Sequence, residues 1–330
     1  MSLSQEFIEY IALHRREILQ PEAPSHLLEF LGLDDESLQR WRSASETIVT
    51  LPHSSPNAFK PRTRVMQHAA YIQTSHHKVH HARITLSHNN FSDLGWRPYS
   101  WWFLNRNGEV SEERFVTRNK KFKHLTVSSQ PPLHTIPEGL LAHDTMAAEA
   151  AVWGSNLSVS FMLIDAVTSH FAGLKPDARC TYIPLNWLIS FAQDKAGASS
   201  VESEWLRFLL DRAEGRSVSS VGKLEADYSW TADILDNFSN LALLSLLGEP
   251  HVLGGEKMAG YWSHPLNAIR EANRNSPVSL PFPHLVTVPN FDLLDRYPPS
   301  PRVKLYLRNH GLPYSQGLVV AERGRLAANK

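Results

Sequence analysis

A single cysteine, Cys180, in 330 residues excludes an intramolecular disulfide and any cysteine-based zinc cluster, and points to a reducing compartment. Net charge is missing too. Lys plus Arg and Asp plus Glu number 33 each, so no global field draws the chain to nucleic acid or an anionic membrane, and any polyanion contact has to be local. No stretch approaches the roughly 18 to 20 uninterrupted apolar residues of a membrane span, and Met1 to Tyr10 carry no basic segment followed by an apolar one. A cytoplasmic protein without a membrane partner is therefore expected. Internal repeats, heptads and low-complexity tracts are absent.

Catalytic signatures are equally scarce. Trp153-Gly154-Ser155-Asn156 lacks the second glycine of a nucleophile elbow. Gly254-Gly255-Glu256-Lys257 has a lysine without the spacing of a phosphate loop, and reads as a turn. No metal or organic cofactor is expected, and the sequence leans away from an enzyme.

What is present is bulk. Hydrophobic residues make up 42% of the chain, with 9 tryptophans and 17 histidines, enough for a large core. Ser4 to Leu19 reads as an amphipathic helix with Ser2 and Gln5 spaced as a capping box. A short helix at His26 to Leu31 stops at Gly32, and Asp34 caps a third that carries Leu38 and Trp41. Pro52, Pro56 and Pro61 mark a loop. From about Arg83 to Ser128 the pattern is strand-like, with Tyr99 to Leu104 returning through Asn107-Gly108 into Glu113 to Arg118. Helices resume: Asn156 to Phe171, apolar nearly all round and hence buried, then Leu185 to Gln193, Val201 to Ala213, Thr231 to Leu247, and one starting at Ser263-His264-Pro265. Short edge strands are expected at His284 to Val288 and Val303 to Leu307. The fold class expected is mainly α with a smaller antiparallel β element: one compact helical domain over 1–330, with 65–135 as a β-containing insertion.

Three clusters invite function. His76, His77, His80 and His81, flanked by His68 and His88, would pair at ligand spacing on a helix. Lys78 in their midst and the lack of a nearby carboxylate favour instead a histidine patch that titrates around pH 6. Arg114, Arg118, Lys120, Lys121 and Lys123, interleaved with Phe115 and Phe122, form a candidate RNA contact that tracks phosphates and stacks on bases. Trp96, Tyr99, Trp101 and Trp102 crowd one extended stretch, where alternation turns some rings outward, and make a candidate assembly interface.

Two resemblances add expectations. Gly222-Lys223-Leu224, Tyr228, Thr231-Ala232-Asp233, Asn237, Asn240, Ala242-Leu243-Leu244, Tyr261, His264, Pro281-Phe282-Pro283-His284-Leu285 and Tyr297-Pro298-Pro299-Ser300-Pro301 with Lys304 follow the order of the second half of thymidylate synthases. The family's nucleophilic cysteine has no counterpart between Arg207 and Val221, and Trp230 stands where a phosphate-binding arginine is expected. That resemblance implies a pyrimidine-nucleotide site at Asp233, Asn237, Tyr261 and His264 in a protein without the usual chemistry. In overall character, neutral and rich in Trp, Phe, Pro and His, the chain is similar to coat proteins of small double-stranded RNA viruses such as partitiviruses. This implies a self-assembling capsid subunit whose partner is itself, as a dimer or closed shell in the host cytoplasm or the virion, with RNA touched through the local basic patch.

Overall fold

The computed structural model describes residues 2–51, 78–85, 88–90, 100–104, 110–114, 124–126, 131–140, 142–171, 180–220 and 241–288. Helix α1 (Leu3–His14) starts at the expected capping box, where the Ser2 hydroxyl accepts from the Gln5 amide and the Gln5 side chain accepts from the Ser2 amide. Its buried face is Phe7, Ile8 and Ile11. A one-turn helix α2 (Leu27–Phe30) follows, then α3 (Asp35–Ser43), whose first turn is held by Asp34 accepting from the Ser37 amide at 3.0 Å.

The next element sets the architecture. Five strands, β1 (Glu46–Thr50), β2 (Val79–Thr85), β7 (Cys180–Pro184), β8 (His251–Gly255) and β9 (His284–Val288), form one sheet in the order β7-β2-β1-β8-β9, and every pairing is parallel. The expectation of a mainly α protein with only a small antiparallel element is thereby corrected: this is an α/β fold built on a parallel sheet. Antiparallel pairs do occur outside it. β4 (Ser100–Leu104) pairs with β5 (Val110–Arg114), and β3 (His88–Asn90) with β6 (His124–Thr126).

Alternation along β2 shows why the sheet is covered on both sides. His80 points to one face, where the Trp41 ring of α3 stacks on it with centroids 4.8 Å apart and planes 7° apart. Arg83 and Thr85 point to the other, where they meet Asp165 and Met162 of α5 (Leu157–Phe171). With helices on both faces here, β2 is buried from His80 to Ile84 and β7 at all five positions.

Helix α5 packs against α4 (Ala142–Ala151) and is buried from Leu157 to Thr168. After β7 the chain forms α6 (Leu185–Gly197) and α7 (Ser203–Ser220). A 3-10 turn (Leu243–Leu247) precedes β8, and α8 (Glu256–Ala259) and α9 (Ser263–Arg274) lead to β9. The outer edge of β7 is closed by the loop after α2: the Tyr182 amide donates to the Leu31 carbonyl at 2.9 Å, and the Thr181 hydroxyl to the Gly32 carbonyl at 2.9 Å. Gly32 takes φ 62°, and a Cβ there would overlap the Cys180 carbonyl, so the close approach needs glycine. Among the described residues no helix is long and apolar enough to cross a membrane.

Candidate functional site at the carboxyl edge of the sheet

Numbered along the chain, the sheet strands run 3-2-1-4-5 in space. The chain leaves β1 toward β2 and β7 on one side, then jumps back past β1 and proceeds to β9 on the other. Neighbouring connections that diverge in this way leave a crevice at the carboxyl ends of the two central strands, and in open parallel sheets that crevice is where ligands bind. Here the switch point falls between β1, which ends at Thr50, and β8, which runs past Thr50's partner Leu253 to Gly254 and Gly255.

Gly254-Gly255-Glu256-Lys257, expected as a turn, is instead the end of a strand passing directly into α8. A Cβ on Gly254 would strike the Met258 sulfur and the Leu285 side chain. This glycine is therefore set by the tight return of α8 onto the sheet. The apolar strand leading into the motif was missed because it is only His251-Val252-Leu253 before the glycines.

Beside the crevice, on the face covered by α5, lies a buried polar layer. Thr50 Oγ1 and His81 Nε2 are 2.7 Å apart. Arg83 Nε donates to Asp165 Oδ2 at 2.6 Å, with only 5% and 6% of the two side chains exposed, and the guanidinium lies 5.8 Å from the centre of the Tyr182 ring. Burial opposes the charge on Arg83, but the Asp165 carboxylate outweighs it and holds the guanidinium above its ordinary pKa. Arg83 stands opposite Thr50 in register, so this ion pair is level with the end of β1.

These partners reassign the histidine cluster. His80 and His81 are not helical neighbours at ligand spacing but successive residues of a central strand, facing opposite sides of the sheet. Burial pushes the His80 imidazole well below the usual histidine range, helped by the charges of His81 and Arg40. Burial, with the charge of Arg83 added, pushes His81 down to about 3. Both are neutral at pH 6 and hydrogen-bonded to threonines, His80 to Thr181 Oγ1 at 2.9 Å, so the expected titrating surface patch is corrected for these two. His76, His77 and His68 lie outside the described residues, as does the side chain of His88. Burial also pushes the Cys180 thiol up to about 12, which removes it as a nucleophile.

The other candidates scatter. Trp101 is fully buried within this chain and packs against Phe103 at 5.0 Å between ring centroids. Trp102 belongs to the same strand, but its side chain is outside the described residues, and so are Trp96 and Tyr99. Of the basic run, Arg114 is placed by its backbone as the last residue of β5, while Arg118, Lys120, Lys121 and Lys123 lie outside the description. Of the proposed nucleotide site, Tyr261 and His264 are exposed at the start of α9, with the His264 amide donating to the Tyr261 carbonyl at 3.0 Å. Asp233 and Asn237 fall outside the described residues. Ala242-Leu243-Leu244 is buried in and beside the 3-10 turn.

No known family model matches the chain, and no curated protein is similar to it.

Proposed function

We propose that this chain is a binding protein for a small polar ligand, held in the carboxyl-edge crevice between β1 and β8. The observation that carries the reading is the reversal of strand order at β1, the kind of switch point beside whose carboxyl strand ends ligands bind in open parallel sheets. Nucleotides are the first ligands to test, because the order 3-2-1-4-5 is shared with mononucleotide-binding sheets; this is an analogy at the level of the fold. The glycine-rich turn that cradles phosphate in such sheets has no counterpart after Thr50, where the sequence reads Leu51-Pro52-His53-Ser54-Ser55. Binding in place of catalysis suits the described residues, since His80, His81 and Arg83 are committed to internal partners and Cys180 is inert. A cytoplasmic location suits the lone unpaired thiol.

Calorimetry of the full chain with adenine, guanine and pyrimidine nucleotides tests the proposal, with deoxyuridylate and deoxycytidylate included for the thymidylate-synthase-like alternative. Saturable heat with one class supports it, and no heat with any of them at millimolar concentration removes the nucleotide reading.

Assembly into a coat around double-stranded RNA is a second proposal. It is favoured by Leu13 and Val201, which are 78% and 61% exposed and would be covered in a contact between identical subunits. Light scattering decides it: a monodisperse species of 37.3 kDa at high concentration defeats the coat reading, and uniform closed particles support it.

A further inference from the structure

The strand order ends on β9, and no strand among the described residues pairs with its outer side. Which peptide groups that side presents follows from the ladder with β8. The His284 amide donates to the Pro250 carbonyl at 2.9 Å, so His284, Val286 and Val288 turn their N–H and C=O groups toward β8. The alternate residues, Leu285 and Thr287, turn theirs outward. The strand is not covered over: His284 and Thr287 are exposed, and Leu285 and Val286 are half-buried.

Open sheet edges are commonly guarded by charged side chains, which keep other strands off. β9, reading His284-Leu285-Val286-Thr287-Val288, contains no Lys, Arg, Asp or Glu. The sequence places a proline two residues before Leu285 and another two residues after Thr287. Proline has no N–H to donate, so a ladder on this side is limited to Leu285 and Thr287.

An edge of this kind is complementary to itself. When two copies of β9 lie antiparallel about a two-fold axis at Val286, Leu285 of one is opposite Thr287 of the other, and each gives and receives a backbone hydrogen bond. The two Val286 residues then form the close, non-hydrogen-bonded pair, His284 faces Val288, and no like charges are opposed. A shift to the next register in either direction sets a proline against Leu285 or Thr287 and loses a donor. We propose that β9 is the contact through which two copies of this chain form a two-fold dimer, their β9 strands antiparallel and centred on Val286, so that the two sheets become continuous. The contact is independent of the carboxyl-edge crevice and requires no closed shell.

Val286→Cys in the full chain tests the register. Opposed residues of a non-hydrogen-bonded pair have Cα atoms about 4.5 Å apart, within disulfide range, and the chain's own Cys180 is buried. Mild oxidation is expected to convert Val286→Cys into a covalent dimer on a non-reducing gel. Thr287→Cys, whose two copies are out of step by two residues and beyond the about 7 Å that a disulfide spans, is expected to give about tenfold less. Light scattering of the unsubstituted chain at high concentration is expected to show a dimer, and Thr287→Pro a monomer. The Thr287 N–H takes no part in the ladder with β8, so Thr287→Pro is expected to keep the circular dichroism of the parent. Equal cross-linking of the two cysteine variants, or a dimer that Thr287→Pro leaves intact, would overturn the proposal. So would a monomeric parent chain, and slow hydrogen exchange of the Leu285 and Thr287 amides in that monomer would give the edge to a segment of the same chain.

Discussion

At the scale of single residues, the polar groups inside the sheet make definite predictions. His80 and His81 are neutral when folded and ordinary imidazoles, with a pKa of about 6.5, when unfolded. Below that pH the unfolded chain binds more protons than the folded one, so stability is full above pH 6.5 and is lost as pH falls toward 3, where folded His81 begins to protonate. His81 contributes a slope of up to about 1.4 kcal/mol per pH unit in that window, and His80, whose pKa is also lowered by burial, acts in the same direction. Urea midpoints at pH 7 and pH 5 check this, and His81→Gln is expected to flatten the difference. The Arg83–Asp165 pair gives a second prediction. Asp165→Ala strands a buried guanidinium and is expected to cost about 3 to 5 kcal/mol, whereas Arg83→Met with Asp165→Leu recovers most of the loss; chemical denaturation of the two variants measures it. Neither role was legible in the sequence. Ser75-His76-His77-Lys78 looks like surface, and nothing local reveals that the next three residues enter a strand covered on both faces.

At the scale of elements, capping and glycine chemistry were readable because each depends on residues three or four apart. Ser2 with Gln5, Asp34 before α3 and Gly32 after α2 all do what their spacing implies. Asp34→Ala is expected to cost about 0.5 to 2 kcal/mol. Gly32→Ala is expected to cost more than about 1 kcal/mol, because it adds backbone strain to an overlap with the Cys180 carbonyl. Thermal unfolding of both variants tests the order. Other ends were misread. α7 runs through Gly215 to Ser220, since one glycine costs a helix only about 1 kcal/mol. The apolar helix at Asn156 to Phe171 is plain from its uninterrupted hydrophobic faces, and β9 from the proline-rich, extended stretch in which it lies. β1, β7 and β8 carry no local signal, because each is a five-residue run, too short for periodicity to separate from loop or helix.

At the scale of the whole molecule, the sheet joins segments that the chain keeps far apart. Ile48 meets His251 and His81 meets Cys180, pairings that no window of local sequence contains. Parallel strands buried on both faces also lack the polar alternation that marks an exposed sheet. Helical patterns therefore dominate the local sequence, and the strand order has no signature in it. The proposed binding function requires a ligand to sit at the carboxyl ends of β1 and β8. Hydrogen exchange of the full chain, with and without a nucleotide that calorimetry shows to bind, measures this directly. Slowed exchange in peptides covering Thr50 and Leu51 together with Gly254 to Lys257 is the predicted result, and protection confined to the start of α9 or to the amino edge of the sheet would contradict it.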